Sequence, residues 1–497
     1  MIRWSLRCLI AALISIAVSC SAADGQKLNV LLLVSDDLCT HLSAYGDPLV
    51  KTPNVDRLAA RGVRFAHAYC QYPLCNPSRA SFLTGLRPDS TRVYDNAIQF
   101  RKNVPDAVTI GQTFQKGGYF VARVGKLYHY GVPAEIGTNG LDDPPSWAER
   151  YNPKGRDIDD YNMIERITLL PDGKAGWEHA TAKEQIPALK QFGATLSRLK
   201  AEGDDEEQTD GKIANETIKL LETHKDGPFF LACGFFRPHT PYVSPKKYYD
   251  MYPLDKIQLP TVPEGYRATV PAPAFTFKKE EEAMTDTQRK DAIQAYFAAT
   301  SFMDAQLGRV LDALDRLKLA DKTVIVFISD HGYHLYEHQL WQKMTIFENA
   351  AHVPMIICAP GIPAGKVSSR IVELVDLHPT LADLAGVTPP AKLDGVSIRP
   401  LVENPDAAWD KPALTQVQRA RPKAPAGEEQ KKGPIMGYSL RTEKWRYTEW
   451  GGGEYGTELY DEEKDQNELK NLAKDAEYKE TVAKLKEELG KMTAKKE

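Results

Sequence analysis

Residues 28–37 read Leu28-Asn29-Val30-Leu31-Leu32-Leu33-Val34-Ser35-Asp36-Asp37, an apolar run that stops on two carboxylates. A strand with one wet face alternates apolar and polar side chains. A run apolar at nearly every position fits a strand covered on both faces, as in a parallel sheet packed between helices. Four more such runs follow, at residues 119–124, 228–234, 323–328 and 353–358. Helical patterns separate them. Asn54 reads as the cap of residues 55–61 with Gly62 as the stop, Thr109 opens 110–116 before Gly117-Gly118, and 292–317 is long and amphipathic. The fold class is therefore α/β, a central and mostly parallel sheet flanked by helices. Two stretches, 131–156 and 260–286, read as loops, either walls of a pocket or surface excursions. There are no internal repeats.

The chain has 497 residues, 63 Lys and Arg against 67 Asp and Glu, and a formal net charge of -4. No global field draws polyanions to such a chain, which excludes a nucleic-acid partner; an anionic substrate must be met by a local cluster. Residues 1–23 carry Arg3 and Arg7, an apolar stretch and then Ser21-Ala22-Ala23, the pattern of an export signal cleaved after Ala23. Cys20, after Ala17-Val18-Ser19, offers lipid attachment as the alternative. No later segment is long and apolar enough to cross a bilayer, so the expectation is an exported protein, periplasmic or secreted. Five of seven cysteines remain after cleavage: Cys39, Cys70, Cys75, Cys233 and Cys358. That odd number points to a free or altered cysteine. Residues 24–405 are expected to hold the catalytic part. Around 404–434 the composition shifts to Pro, Lys and Ala, a linker or extended edge. Residues 406–497 then read as a smaller α+β C-terminal subdomain with short antiparallel strands and a turn at Gly451-Gly452-Gly453.

Ligands of open parallel sheets bind at the carboxyl ends of the strands. Those ends carry Asp36 and Asp37, Lys126 with His129 just beyond, Arg237 and His239, and Asp330 and His331. Converging, Asp36, Asp37 and Asp330 would repel one another unless a cation lay among them. Hard oxygen donors favour Ca²⁺ or Mg²⁺, and flexible geometry in an exported chain favours Ca²⁺. Residues 74–85, LCNPSRASFLTG, add a second signal. Pro77 suits the first turn of a helix, which puts Cys75 at its N-terminus, where an anion is favoured, and Arg79 four residues on along the same side. From the residues alone two readings stay open, a nucleophile in an anion site or a small buried cysteine before an ordinary helix.

The pattern Cys75-x-Pro77-Ser78-Arg79 followed by Leu83-Thr84-Gly85 resembles the signature of the type I sulfatases. The resemblance continues through Ser35-Asp36-Asp37, residues 52–56 (TPNVD), Gly125-Lys126 with His129, Arg237-Pro238-His239, residues 329–332 (SDHG), Lys343 and residues 458–461 (ELYD). Within the family it is similar to the iduronate-2-sulfatase branch, through residues 91–95 (TRVYD), 125–131 (GKLYHYG), 236–242 (FRPHTPY), 352–356 (HVPMI) and 372–386. His331 agrees with that branch, where many sulfatases carry Asn. The resemblance implies an alkaline-phosphatase-like fold and a Cys75 oxidised to Cα-formylglycine by a formylglycine-generating or equivalent maturation enzyme. It implies Ca²⁺ held by Asp36, Asp37, Asp330, His331 and the residue-75 oxygen. Arg79 and Lys126 would stabilise that oxygen and the sulfate, His129 would act as base, and His239 and Lys343 would bind sulfate and assist the leaving oxygen.

The implied substrate is a sulfated carbohydrate carrying 2-O-sulfate on a uronic acid, although His129-Tyr130-Gly131 replaces part of the branch pattern after Lys126. Rival readings are a phosphate or phosphonate monoester hydrolase on the same scaffold, a sulfated-glycan binding protein with a dead site, and a thiol hydrolase using unmodified Cys75. His334, His338 and Trp341 either contact the sugar or fill their loop, the resemblance sets Tyr94 and Asp95 near the pocket, and spacing leaves open whether Cys39 and Cys70 pair.

Overall fold

The structure, a computed structural model, describes residues 27–179, 193–422 and 431–494. The export signal at 1–23 and the lipid site at Cys20 lie outside them. The central sheet has eight strands: β1 (Asn29–Asp36), β2 (Val63–Tyr69), β3 (Phe120–Gly125), β4 (Glu149–Tyr151), β5 (Phe229–Pro238), β6 (Thr323–Ser329), β7 (His352–Cys358) and β8 (Lys366–Glu373). Their order is β8-β2-β7-β6-β1-β5-β3-β4. Every neighbouring pair is parallel except the two that β7 makes with β2 and β6. The mostly parallel sheet is thus present, and each of the five apolar runs is a strand in it.

Alternate residues of those runs enter separate cores, which is why nearly every position is apolar. Val30, Leu32, Val34, Val326 and Ile328 pack on one side with Phe114 and Leu377. Leu31, Leu33, Ile325 and Phe327 pack on the other with Ile213, Leu307 and Leu311. The strands without an apolar run are those less enclosed: β8 and β4 are sheet edges and β2 is half-exposed at three of seven positions.

The flanking helices are α1 (Pro53–Ala59), α2 (Cys75–Thr84), α3 (Ile110–Lys116), α4 (Thr209–Thr223), α5 (Asp286–Arg316) and α6 (Leu377–Leu384). Asn54 does not cap α1: Thr52 holds the cap position, Pro53 opens the helix, and the Asp304 carboxylate of α5 accepts from the Asn54 and Val55 N–H groups. A cap supplied from another helix leaves no local sequence signal. Thr109 does cap α3, reciprocally with Gln112. α5 starts six residues before the amphipathic stretch, capped by Thr285 with Gln288.

Two features depart from the sequence reading. A side sheet pairs Glu165–Leu169, Ala175–His179, Ser197–Ala201 and Tyr242–Pro245, segments too short and polar to stand out. The stretch read as a linker contains β9 (Ala413–Arg419), which pairs in order with β10 (Ile435–Arg441), β11 (Trp445–Trp450) and β12 (Thr457–Asp461) in an antiparallel sheet backed by α7 (Lys479–Thr493). Residues 413–417 are buried, so this strand belongs to the sheet.

Candidate active site

β1, β5 and β6 lie side by side and parallel, so their carboxyl ends open at one place. Strand alternation would send Asp36 and Asp37 to opposite faces. Asp37 avoids this with φ of 63°, a left-handed conformation uncommon outside glycine, fixed by its N–H donating to Asp330 Oδ1 at 3.1 Å. One oxygen or nitrogen atom of each of Asp36, Asp37 and His239 and Cys75 Sγ lie within 4.8 Å of one another, and the same holds for Cys75, Asp330 and His331.

Helix α2 delivers Cys75 to this cluster at its first position, and all ten of its residues are buried. Around Sγ stand Lys343 Nζ at 3.2 Å, His331 Nε2 at 3.4 Å and Asp37 Oδ1 at 3.8 Å. Arg79, one turn on and fully buried, donates from Nη2 to Asp36 Oδ1 at 2.8 Å and from Nε to Asp330 Oδ2 at 2.9 Å. Its Nη1 donates to the Lys126 and Leu127 carbonyls at 2.7 and 3.0 Å. Lys126 Nζ donates to Asp36, and Lys343 Nζ to Asp37 Oδ1. His239 Nδ1 lies 2.5 Å from the Thr240 carbonyl, with Nε2 3.9 Å from Asp37 Oδ2.

These charges shape the titration of the site. Burial opposes ionisation of the Cys75 thiol, but Lys343 and Lys126 outweigh it and bring its pKa below the ordinary thiol value. Burial likewise opposes the charge on Asp36, which Lys126 and Arg79 hold well below the carboxylate range. Asp37 goes the other way, raised by burial to about 7 against the pull of Lys343. His331, disfavoured as a cation by burial, is raised to about 9 by Asp330. Burial first and Lys126 next press His129 down to about 3, and its Nδ1 is buried without a hydrogen-bond partner.

The donor set fits a divalent cation. Asp36, Asp37 and Asp330 offer hard carboxylate oxygens. His331 Nδ1 faces the Gly332 carbonyl at 2.9 Å, which fixes Nδ1 as the donor and turns the Nε2 lone pair toward the cluster. A coordinated cation would take the place of the proton that Asp37 and His331 otherwise hold.

Above the cluster lies a cavity of about 370 Å³ whose walls include His129, His239, Lys343, Trp341, Lys278 and Glu281. A second cleft of about 910 Å³ shares His129, Asn96 and Gly131 with it and runs on to Asp95 and Asn139. A buried nucleophile position ringed by cations beneath an open pocket is equipped to hold a tetrahedral oxyanion ester.

Residues 28–387 match the sulfatase family, and residues 336–495 match the N-sulphoglucosamine sulphohydrolase C-terminal family. The chain belongs to the sulfatase family. It is 35% identical to human iduronate 2-sulfatase over 86% of each chain. In shape the sulfatase is similar to a phosphonate monoester hydrolase of Agrobacterium radiobacter, with a TM-score of 0.72, 24% identity and coverage of 94% and 96%. It is also similar to a 2-O GAG sulfatase, with a TM-score of 0.68, 22% identity and coverage of 94% and 93%. The alkaline-phosphatase-like fold expected from the sequence is the fold of these neighbours. The sulfatase is a sulfuric ester hydrolase.

Every residue expected at the site of this sulfatase lies at the cluster or on the cavity wall. Of the loop residues left open, Trp341 lines the cavity. His334 and His338 instead fill the loop: His334 Nε2 bonds Thr345 Oγ1 at 2.7 Å, and His338 stacks on Phe347 at 4.0 Å and bonds Tyr266. Asp95 borders the second cleft, whereas the Tyr94 hydroxyl donates to Asp89. Cys39 and Cys70 do not pair, and the five cysteines described are all free and buried.

The sequence reading missed Lys278, Glu281 and Gln342 in the cavity wall. Lys278 and Glu281 fall in 260–286, read as a loop that either walls a pocket or runs over the surface, and Gln342 stands between Trp341 and Lys343 with no signal of its own. It also missed Asn76, whose amide donates to the Asp95 and Ile98 carbonyls and ties α2 to the cleft rim. Arg237 supports the site from behind, pairing with Asp157 at 2.9 Å and donating to the His239 carbonyl.

Gly125 delivers Lys126 through a turn with φ of 72°, where a Cβ would stand 2.2 Å from the Gly234 carbonyl oxygen. Gly125→Ala is expected to destabilise the protein by about 2 kcal/mol or more, from left-handed strain plus that clash. A urea unfolding midpoint equal to wild type would show that the turn relaxes freely.

Proposed function

We propose that this sulfatase removes 2-O-sulfate from uronic acid residues of a sulfated glycan, with residue 75 as Cα-formylglycine and Ca²⁺ held by Asp36, Asp37, Asp330, His331 and the residue-75 oxygen. The observation that carries the reading is the surrounding of residue 75: a buried helix N-terminus with Lys343, His331 and Asp37 all within 4 Å. The 35% identity to human iduronate 2-sulfatase supports the sugar and the sulfate position. Export through residues 1–23 and conversion by a formylglycine-generating or equivalent maturation enzyme belong to the same reading.

Ca²⁺ held by this donor set would supply positive charge to the reacting sulfate ester. A hydrated aldehyde at residue 75 would supply the nucleophilic hydroxyl and, through its second hydroxyl, a route for sulfate to depart. The chain's own groups do the rest. Arg79 locks Asp36 and Asp330 in one plane of approach, and Lys126 and Lys343 set ammonium charge beside the reacting oxygens. Lys343 is held protonated: burial opposes its charge, but Asp37 and Cys75 more than offset that. It serves as the cation that binds sulfate and assists the leaving oxygen, with His239 beside it.

Burial and then Lys126 keep the His129 ring neutral, its Nδ1 has no hydrogen-bond partner, and the residue lines the cavity, which leaves the ring available to take the hydroxyl proton. His129→Gln is expected to lower kcat by about 10²–10⁴-fold with little change in KM. A raised KM at unchanged kcat would make His129 a binding group instead. Because the ring takes a proton only near pH 3, a fall in rate between pH 7 and 5 belongs to other groups.

The test of the whole reading is peptide mass spectrometry on protein from its native host, followed by a screen of sulfated disaccharides. The tryptic peptide 65–79 holds both Cys70, which should alkylate, and residue 75, which should appear as a hydrazide-reactive aldehyde. A fully alkylated Cys75 rejects the nucleophile. Turnover of 6-O- but not 2-O-sulfated sugars rejects the substrate, and turnover of phosphate esters alone rejects both.

A further inference from the structure

Away from the active site, the sequence pattern brings two imidazoles and a carboxylate together. β2 and β7 run antiparallel with His352 opposite Tyr69, so His67, two residues before Tyr69, shares the face of His352. The His67 and His352 rings lie 6.0 Å apart at 29°, and Glu348 reaches back one turn to set Oε1 3.3 Å from His352 Nδ1. A ring nitrogen from each histidine and a Glu348 oxygen all fall within 4.8 Å of one another. His67 Nδ1 is buried with no hydrogen-bond partner.

The groups behind the cluster keep its carboxylate ionised and oriented. Arg446 pairs with Glu348 through Oε2 and also with Glu462 and Glu468, which leaves Glu348 Oε1, where the Tyr69 hydroxyl donates at 2.9 Å, as the oxygen turned to His352. Glu462 and Glu468 are nearly inaccessible. Burial and then Glu348 raise Glu462 to about 10, so it keeps its proton, while burial of Glu348 is outweighed by Arg446 and Arg441, which hold it ionised and able to serve as a ligand.

We propose that His67, His352 and Glu348 form a second metal site, separate from the catalytic cluster, that takes a divalent transition metal such as Zn²⁺. Two imidazole nitrogens and one carboxylate oxygen suit Zn²⁺ rather than Ca²⁺, and leave a fourth position for water. A tetrahedral ion with bonds of about 2.0–2.1 Å sets adjacent donors about 3.3 Å apart, the separation already present between His352 and Glu348. Burial, then the neighbouring ring, holds His67 near pKa 4, and burial lowers His352, so both rings are neutral and able to bind a metal at neutral pH. Glu348 also contacts Arg446 of β11, so the ion would brace the central sheet against the C-terminal sheet.

The test compares zinc uptake by chelator-dialysed wild type with that of His67→Gln and His352→Gln, by elemental mass spectrometry. Wild type should bind one equivalent more than either variant, and zinc should raise its melting midpoint by a few degrees while leaving His67→Gln unmoved. Sulfatase activity should be equal in wild type and His67→Gln, since neither histidine lines the cavity. Equal zinc in all three proteins would place the ion elsewhere and overturn the site. Should the variants fold poorly, crystals of wild type soaked in zinc decide: an anomalous peak between the three side chains supports the site, and its absence rejects it.

Discussion

Cys75→Ala is expected to lower kcat/KM for sulfate esters by at least about 10⁴-fold while the protein stays folded, the size of loss seen when a covalent nucleophile is deleted from an otherwise intact site. The residue is fully buried at the first position of α2, and its sulfur makes no contact on which the surrounding elements depend. Lys343 keeps Asp37, His331 keeps the Gly332 carbonyl, and Arg79 keeps both of its carboxylates. The variant therefore retains Lys126, Lys343 and His239 for sulfate and four of the five proposed donors to Ca²⁺, and loses the group that reacts. Activity and affinity should separate: turnover vanishes, and a sulfated disaccharide still binds with wild-type affinity by calorimetry. Retention of more than about a tenth of wild-type turnover would show that the reaction does not pass through residue 75 and would reject the formylglycine and thiol readings together.

The parts of this protein legible in its sequence are those where one local pattern has one physical solution. Residues 30–34 had to be a doubly covered strand because every one of them is apolar, and the structure sends alternate members into two cores. Thr109 had to cap α3 because Gln112 stands three residues on to complete the box. What was not legible depends on partners far away in the chain. Asn54 looked like a cap because Asp304, the group that fills that role, lies 250 residues later. β9 looked like a linker because a strand that alternates Thr, Gln and Arg with Ala, Leu and Val shows its burial only once β10 is beside it.

The site divides the same way. Asp36, Asp330, Lys126 and His239 stood at strand ends, and the sheet makes strand ends converge. Lys343 had no such warrant, since it sits in a loop after β6 and only the resemblance singled it out. The structure sets it on Asp37 and Cys75. Lys278 and Glu281 of the cavity wall follow no periodic pattern, and only folding brings them beside Trp341 and Lys343.

Arg79→Ala should cost both stability and activity, and the two losses have the same origin. The guanidinium spends its donors on two carboxylates of different strands and on two carbonyls that follow β3, all of them buried. Removing it leaves Asp36 with Lys126 alone, leaves Asp330 with His331 alone and strands the Lys126 and Leu127 carbonyls. Deleting one partner of a buried ion pair costs about 3–5 kcal/mol, so the urea midpoint should fall clearly below that of wild type. Arg79→Lys separates charge from shape. A single ammonium restores one positive charge but cannot reach Asp36, Asp330 and the two carbonyls together. That variant is expected to recover part of the stability and still lose about 100-fold or more in kcat/KM, because carboxylates free to rotate no longer present one set of oxygens to a cation. If Arg79→Lys restored full activity, charge alone would suffice at this position. If Arg79→Ala unfolded at the wild-type urea concentration, Asp36 and Asp330 would be held by something other than the fork that spans them.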